Sequence, residues 1–124
     1  MYLKKDFSFD AAHRLEHYHG KCESLHGHTY RFQVTLKGEP DHESMVMDFV
    51  QLKELVERLV VERLDHSLLN ETIPQPTAEN IALWIWRQIE EEVRGDNCGL
   101  YSVQVWETAT SSVLIHDEDL KKKL

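Results

Sequence analysis

Two stretches of this chain place apolar residues on every second position, and each stretch ends at an imidazole. Phe7, Phe9, Ala11 and His13 share one parity, while Ser8, Asp10 and Ala12 share the other. Tyr30, Phe32, Val34 and Leu36 continue the parity of His26 and His28. Residues two apart in an extended chain point to the same side, so each stretch predicts a strand with one face for a core and one for solvent. That period excludes an all-helical fold. If the strands over 2–13 and 28–37 pair antiparallel across residues 14–27, their apolar faces coincide. His13 then approaches His26 and His28.

Neutral imidazole is the commonest protein ligand for a divalent transition metal, and a catalytic zinc typically takes three protein ligands with a fourth position open. His26-Gly27-His28 alone describes two unrelated histidines as readily as a metal site. His13, in phase at the end of a neighbouring strand, supplies the third donor and favours a metal centre. Cys22, four residues before His26, adds a thiol where a thiolate is chemically useful. His17, His19, His42 and His116 have no comparable phase and read as surface or loop residues.

After a turn at Gly38–Asp41, Leu52, Leu55, Val56, Leu59 and Val60 recur at spacings of three and four, predicting a helix capped by Asp48 and ending near Leu64. Asp65-His66 follows. A carboxylate beside an imidazole can orient the ring and raise its basicity, or the pair can simply suit a helix end and the following turn. Pro74-Gln75-Pro76-Thr77 starts a second helix with Thr77 as cap. Ile81, Trp84, Ile85, Ile89 and Val93 form its core stripe, widened by Leu83 and Trp86. A turn cluster over Gly95–Gly99 leads to a strand at Tyr101–Glu107 and a last strand from Ser112 to His116. Glu107 ends an apolar face as the histidines do. It stands either at a wet rim or holding donor groups of a ligand, such as the N–H edge of a heterocycle.

The resulting order, ββααββ, predicts a two-layer α+β domain with an antiparallel sheet whose other face, carrying Arg31, Gln33 and Thr35, is polar. Bare outer edges in such a sheet favour a symmetric oligomer that closes it into a barrel. The 124 residues read as a single domain, 1–124. A formal charge of −8 argues against nucleic acid or an anionic membrane as partner, and no apolar run approaches the roughly 20 residues of a bilayer span. Two cysteines are too few for a secreted disulfide framework, and Met1–Asp6 lacks an apolar signal core. A cytoplasmic setting is expected.

His13, Cys22 with His26-Gly27-His28, Met47-Asp48-Phe49, Leu64-Asp65-His66 with Leu69-Asn70, Pro76–Asn80 and Trp106-Glu107-Thr108 together resemble the 6-pyruvoyl-tetrahydropterin synthase family, in order along nearly the whole chain. The Cys22 spacing is most similar to the bacterial branch that makes 6-carboxy-5,6,7,8-tetrahydropterin for queuosine synthesis. The resemblance implies the tunnelling fold, with trimeric barrels stacked into a homohexamer and sites between subunits. It implies Zn2+ on His13, His26 and His28, Cys22 as proton acceptor, and Asp65 and His66 as its relay. Glu107 would anchor the pterin and is also placed in the relay. The implied substrate is 7,8-dihydroneopterin triphosphate, converted to the 6-carboxy product, acetaldehyde and triphosphate. A sibling lyase making a 6-pyruvoyl or 6-hydroxymethyl product, and a noncatalytic zinc- or pterin-binding paralogue, are the other readings.

Overall fold

A computed structural model describes residues 1–15 and 24–121. Both alternating stretches are strands: β1 spans Tyr2–His13 and β2 spans His26–Gly38. They pair antiparallel with His13 opposite His26, Ala11 opposite His28 and Phe9 opposite Tyr30. In this register the two apolar parities share a face, where Phe7 stacks on Phe32 at 5.1 Å and Phe9 on Tyr30 at 5.0 Å between ring centroids. Burying one such side chain contributes about 1.5–3 kcal/mol. The row of rings therefore fixes the register that gathers the histidines.

The chain next forms α1 (Phe49–Val56), a π-helical segment (Glu57–Val61) and one more turn, α2 (Glu62–Leu64). Asp48 caps α1, its carboxylate accepting from the Val50 N–H at 2.8 Å. Leu52, Val56, Val60 and Leu64 are fully buried at a constant spacing of four. That spacing drifts about 40° per step around a regular helix. The wider π winding takes up part of the drift and keeps all four side chains on the core. A two-residue strand, β3 (Ser67–Leu68), pairs parallel with Ala11 and Ala12 of β1, and a 3-10 turn (Leu69–Glu71) follows.

Helix α3 (Ala78–Ile89) begins at Thr77, whose hydroxyl oxygen accepts from the Asn80 N–H. Strands β4 (Cys98–Thr108) and β5 (Ser111–His116) complete an antiparallel run beside β2, and a short α4 (Asp117–Lys121) ends the described chain. The sheet order is β3-β1-β2-β4-β5. Its apolar face and the buried stripes of α1 and α3 share one core.

The expected ββααββ order and both helix caps are present. Four features differ. Trp86 is 2% exposed and belongs to the core, whereas Trp84 is half-buried under the Arg63 guanidinium, 5.0 Å from its ring centroid. Thr35, on the expected polar face, is buried. Strand β4 begins at Cys98 rather than Tyr101, taking up part of the expected turn, because Gly38 and Cys98 pair across the sheet. β3 and α4 have no counterpart in the sequence reading. A two-residue strand carries no periodicity, and α4 is a single acidic turn.

Candidate active site

His13, His26 and His28 stand where two paired strands end, and one ligating nitrogen from each lies within 4.8 Å of the others. His13 is 1% exposed, while the other two are half-buried. The hydrogen bonds on the outer nitrogens determine what the inner ones offer. His13 donates its Nδ1–H to the Pro76 carbonyl at 3.1 Å, and His26 donates its Nδ1–H to the Ser24 carbonyl at 2.9 Å. A carbonyl can only accept, so both rings carry their proton on Nδ1 and present a bare lone pair at Nε2. These two Nε2 atoms face each other at 3.1 Å. Two lone pairs at that distance repel unless a cation sits between them.

The donor set suits such a cation. The nitrogen–nitrogen edge of a tetrahedral centre with zinc–nitrogen bonds near 2.0–2.1 Å is about 3.3 Å. Tethering the outer ring nitrogen to a main-chain carbonyl is the usual support of a metal-bound imidazole. The three histidines fit a divalent transition metal on the donor chemistry alone.

Glu107 joins the same group. β4 lies beside β2, with Val105 opposite Phe32, so Glu107 shares the parity of the histidine face. Its Oε1 is 3.6 Å from Nε2 of His13 and 3.8 Å from Nε2 of His28. The side chain is about one-third exposed, which leaves the carboxylate accessible to a ligand entering from solvent.

Asp65 and His66 form a second group, held to the outer edge of β1. The Asp10 N–H donates to Oδ1 of Asp65 at 2.9 Å, and the Asp10 carbonyl accepts from the His66 N–H at 2.6 Å. Oδ2 of Asp65 is 3.0 Å from Nδ1 of His66. The Asp10 N–H, and after it the His66 ring, hold the Asp65 carboxyl below the usual carboxylate range. His66 has φ 57°, a left-handed conformation uncommon outside glycine, and its ring is 80% exposed. Asp10, Asp65 and His66 make a compact set distinct from the three histidines. An open cleft of about 690 Å³, lined in part by His28, Gly27, Asp10 and His66, runs between the two.

All six expected site residues that are described thus fall into two clusters beside one cleft: His13, His26 and His28 with Glu107, and Asp65 with His66. Cys22 lies outside the described residues, as do His17 and His19. Sequence reasoning missed the outer contacts, namely the Pro76 and Ser24 carbonyls, the Asp10 main chain and the Tyr30 hydroxyl. Only Tyr30 left a sequence signal, as a hydroxyl in a row otherwise built of phenylalanine and aliphatic residues.

The chain belongs to the 6-pyruvoyl tetrahydropterin synthase family, which matches residues 2–118. Among individual relatives, the 6-carboxy-5,6,7,8-tetrahydropterin synthase of Synechocystis is 45% identical over 117 residues, covering 89% of this chain and 88% of the relative. The dihydroneopterin monophosphate aldolase of Pyrococcus furiosus is 44% identical over 100 residues, covering 81% of this chain and 83% of its own. In three dimensions the fold is similar to the 6-pyruvoyl tetrahydropterin synthase of Caenorhabditis elegans, with a TM-score of 0.78 at 28% identity over 94% of each chain.

Proposed function

We propose that this chain is a zinc-dependent 6-carboxy-5,6,7,8-tetrahydropterin synthase, which converts 7,8-dihydroneopterin triphosphate to the 6-carboxy product, acetaldehyde and triphosphate. The observation that carries this reading is the convergence of His13, His26 and His28 with the Glu107 carboxylate at the end of one apolar face. The relative in Synechocystis supports the choice of product.

Each residue has a role suited to its surroundings. Glu107 accepts hydrogen bonds from the N–H edge of the pterin and so orients the side chain toward the histidines. His13, His26 and His28 would hold zinc, whose Lewis acidity would acidify the substrate hydroxyls and stabilise the negative charge left by loss of a carbon-bound proton. Cys22 removes that proton. An unperturbed thiol titrates near 8.5, so Cys22 needs an acceptor for its own proton at neutral pH. His66 serves as that acceptor through Nε2, because Asp65 holds its Nδ1–H. Glu107, beside His13 and His28 and apart from His66, suits the anchoring role, and its share in the relay rests on the family resemblance alone.

Asp65 and His66 form a group apart from the histidines, and the cleft between them is open in a single chain. Both facts support a site completed between copies, with Asp65 and His66 serving the Cys22 of another chain. The assembly that suits this is a homohexamer of two stacked trimeric barrels, each copy a single domain spanning 1–124. The enzyme works in the cytoplasm and feeds queuosine, that is 7-deazapurine, synthesis.

Mass spectrometry of the products after the zinc-loaded protein is given 7,8-dihydroneopterin triphosphate, with an acetaldehyde assay alongside, tests the reading. A 6-carboxypterin product with acetaldehyde is expected. The Pyrococcus furiosus relative favours a second reading, an aldolase-type lyase, which a 6-hydroxymethyl product would establish. Absence of turnover would point to a binding paralogue. Cys22→Ala should abolish turnover while zinc stays bound; full turnover in that variant would remove Cys22 from the role of base.

A further inference from the structure

We propose that the Tyr30 hydroxyl is a positioning group for the metal centre, fixing the His13 ring from behind and thereby setting metal affinity. The inference rests on the three-histidine reading above. Tyr30 is fully buried, and its oxygen lies 3.1 Å from Nδ1 of His13. The same nitrogen donates to the Pro76 carbonyl at 3.1 Å. The Nδ1–H is therefore shared between two acceptors, one from β2 and one from the segment leading into α3.

His13 differs from its two companions in this respect. It is the most buried of the three, and its outer nitrogen is held by residues 17 and 63 positions away in sequence. The outer nitrogen of His26 donates to the Ser24 carbonyl, two residues away on exposed chain. His13 is thus a buried ligand held from two distant parts of the chain. Burying a hydroxyl in an apolar row costs free energy unless it is hydrogen-bonded. Phenylalanine in the same place would pack equally well, as Phe9 and Phe32 do. The polar group in that row therefore serves the imidazole. Two acceptors on Nδ1–H hold the ring's rotation and tautomer, and they make Nε2 a stronger donor to a cation.

The test is a zinc titration of the full-length protein against a chromophoric chelator, paired with melting of the metal-free form. Tyr30→Phe removes the oxygen and keeps the ring. It should weaken zinc binding about tenfold, the lower end of the loss usual for such supporting groups, and leave the metal-free melting temperature nearly unchanged. Phe9→Leu is the structural control, because it disturbs the ring stacked on Tyr30 without touching the hydroxyl. It should lower the metal-free melting temperature while zinc affinity stays at the wild-type value. Wild-type affinity in Tyr30→Phe would overturn the proposal, as would an equal loss of affinity in Phe9→Leu. If the wild-type protein itself failed to bind zinc, the three-histidine reading would fall and this inference with it.

Discussion

At the scale of single residues, the site depends on main-chain groups that hold side chains in place. Asp10 shows this most clearly, since its N–H and carbonyl grip Asp65 and His66 while its carboxylate accepts from the Thr29 hydroxyl. Non-glycine residues with positive φ are sparse, and they persist where surrounding contacts over-determine them. The bond from the His66 N–H to the Asp10 carbonyl is such a contact. The lowered Asp65 carboxyl gives a pH prediction with a definite sign. A carboxyl held below its unfolded value near 3.9 contributes stability above that pH and loses it as the pH falls through the folded value. Asp65→Asn should therefore melt slightly below wild type at neutral pH, with the gap closing at the acid end of a melting series. A gap that stayed constant across pH would assign the loss to packing instead of charge. The Asp65-His66 dipeptide was legible in the sequence, but its attachment to β1 was not, because main-chain hydrogen bonds between distant segments leave no trace in side-chain identity.

At the scale of elements, period and cap residues were enough to place β1, β2, α1 and α3. The structure adds how the elements lock to one another. Helix α3 starts at Thr77, directly after the carbonyl of Pro76 that receives His13, so the helix start and the metal ligand share one piece of chain. Thr77→Ala removes an acceptor for the Asn80 N–H. It should cost about 1 kcal/mol, which lowers the melting temperature of a chain this size by about 4 °C. Differential scanning calorimetry would read this directly, and no change would mean the capping bond is made equally well by water. Gly38 is the sharper case. A Cβ there would overlap the Asn97 carbonyl oxygen and the Cys98 side chain across the sheet. Gly38→Ala should therefore destabilise the protein more than Thr77→Ala does in the same measurement. The exchange of Trp84 and Trp86 between rim and core shows the limit of helical spacing. The two lie about 200° apart around a helix, so only one of them can face the core, and that one is Trp86.

At the scale of the whole molecule, the sheet ends at β5 on one side and at the two-residue β3 on the other. β5 carries Leu114 half-exposed, and an unpaired strand edge is a template for further pairing. Native mass spectrometry should find a homo-oligomer, with a hexamer expected. Conditions that release monomers should abolish turnover while zinc remains bound, since His66 and the histidine centre occupy separate groups in one chain. An active monomer would contradict a site shared between copies. By itself, the sequence determined the strand parity, the imidazoles that end the apolar faces of β1 and β2, the carboxylate that ends the apolar face of β4 and the helix caps. All of these follow from local periodicity and from residue chemistry read along one strand or one turn. Only the tertiary structure decided which nitrogen His13 and His26 present, that Asp65 and His66 attach to the outer edge of β1, and that a hydroxyl of β2 and a carbonyl before α3 meet on one ring. Those contacts join segments far apart in sequence, and their geometry is set by how the sheet and helices pack.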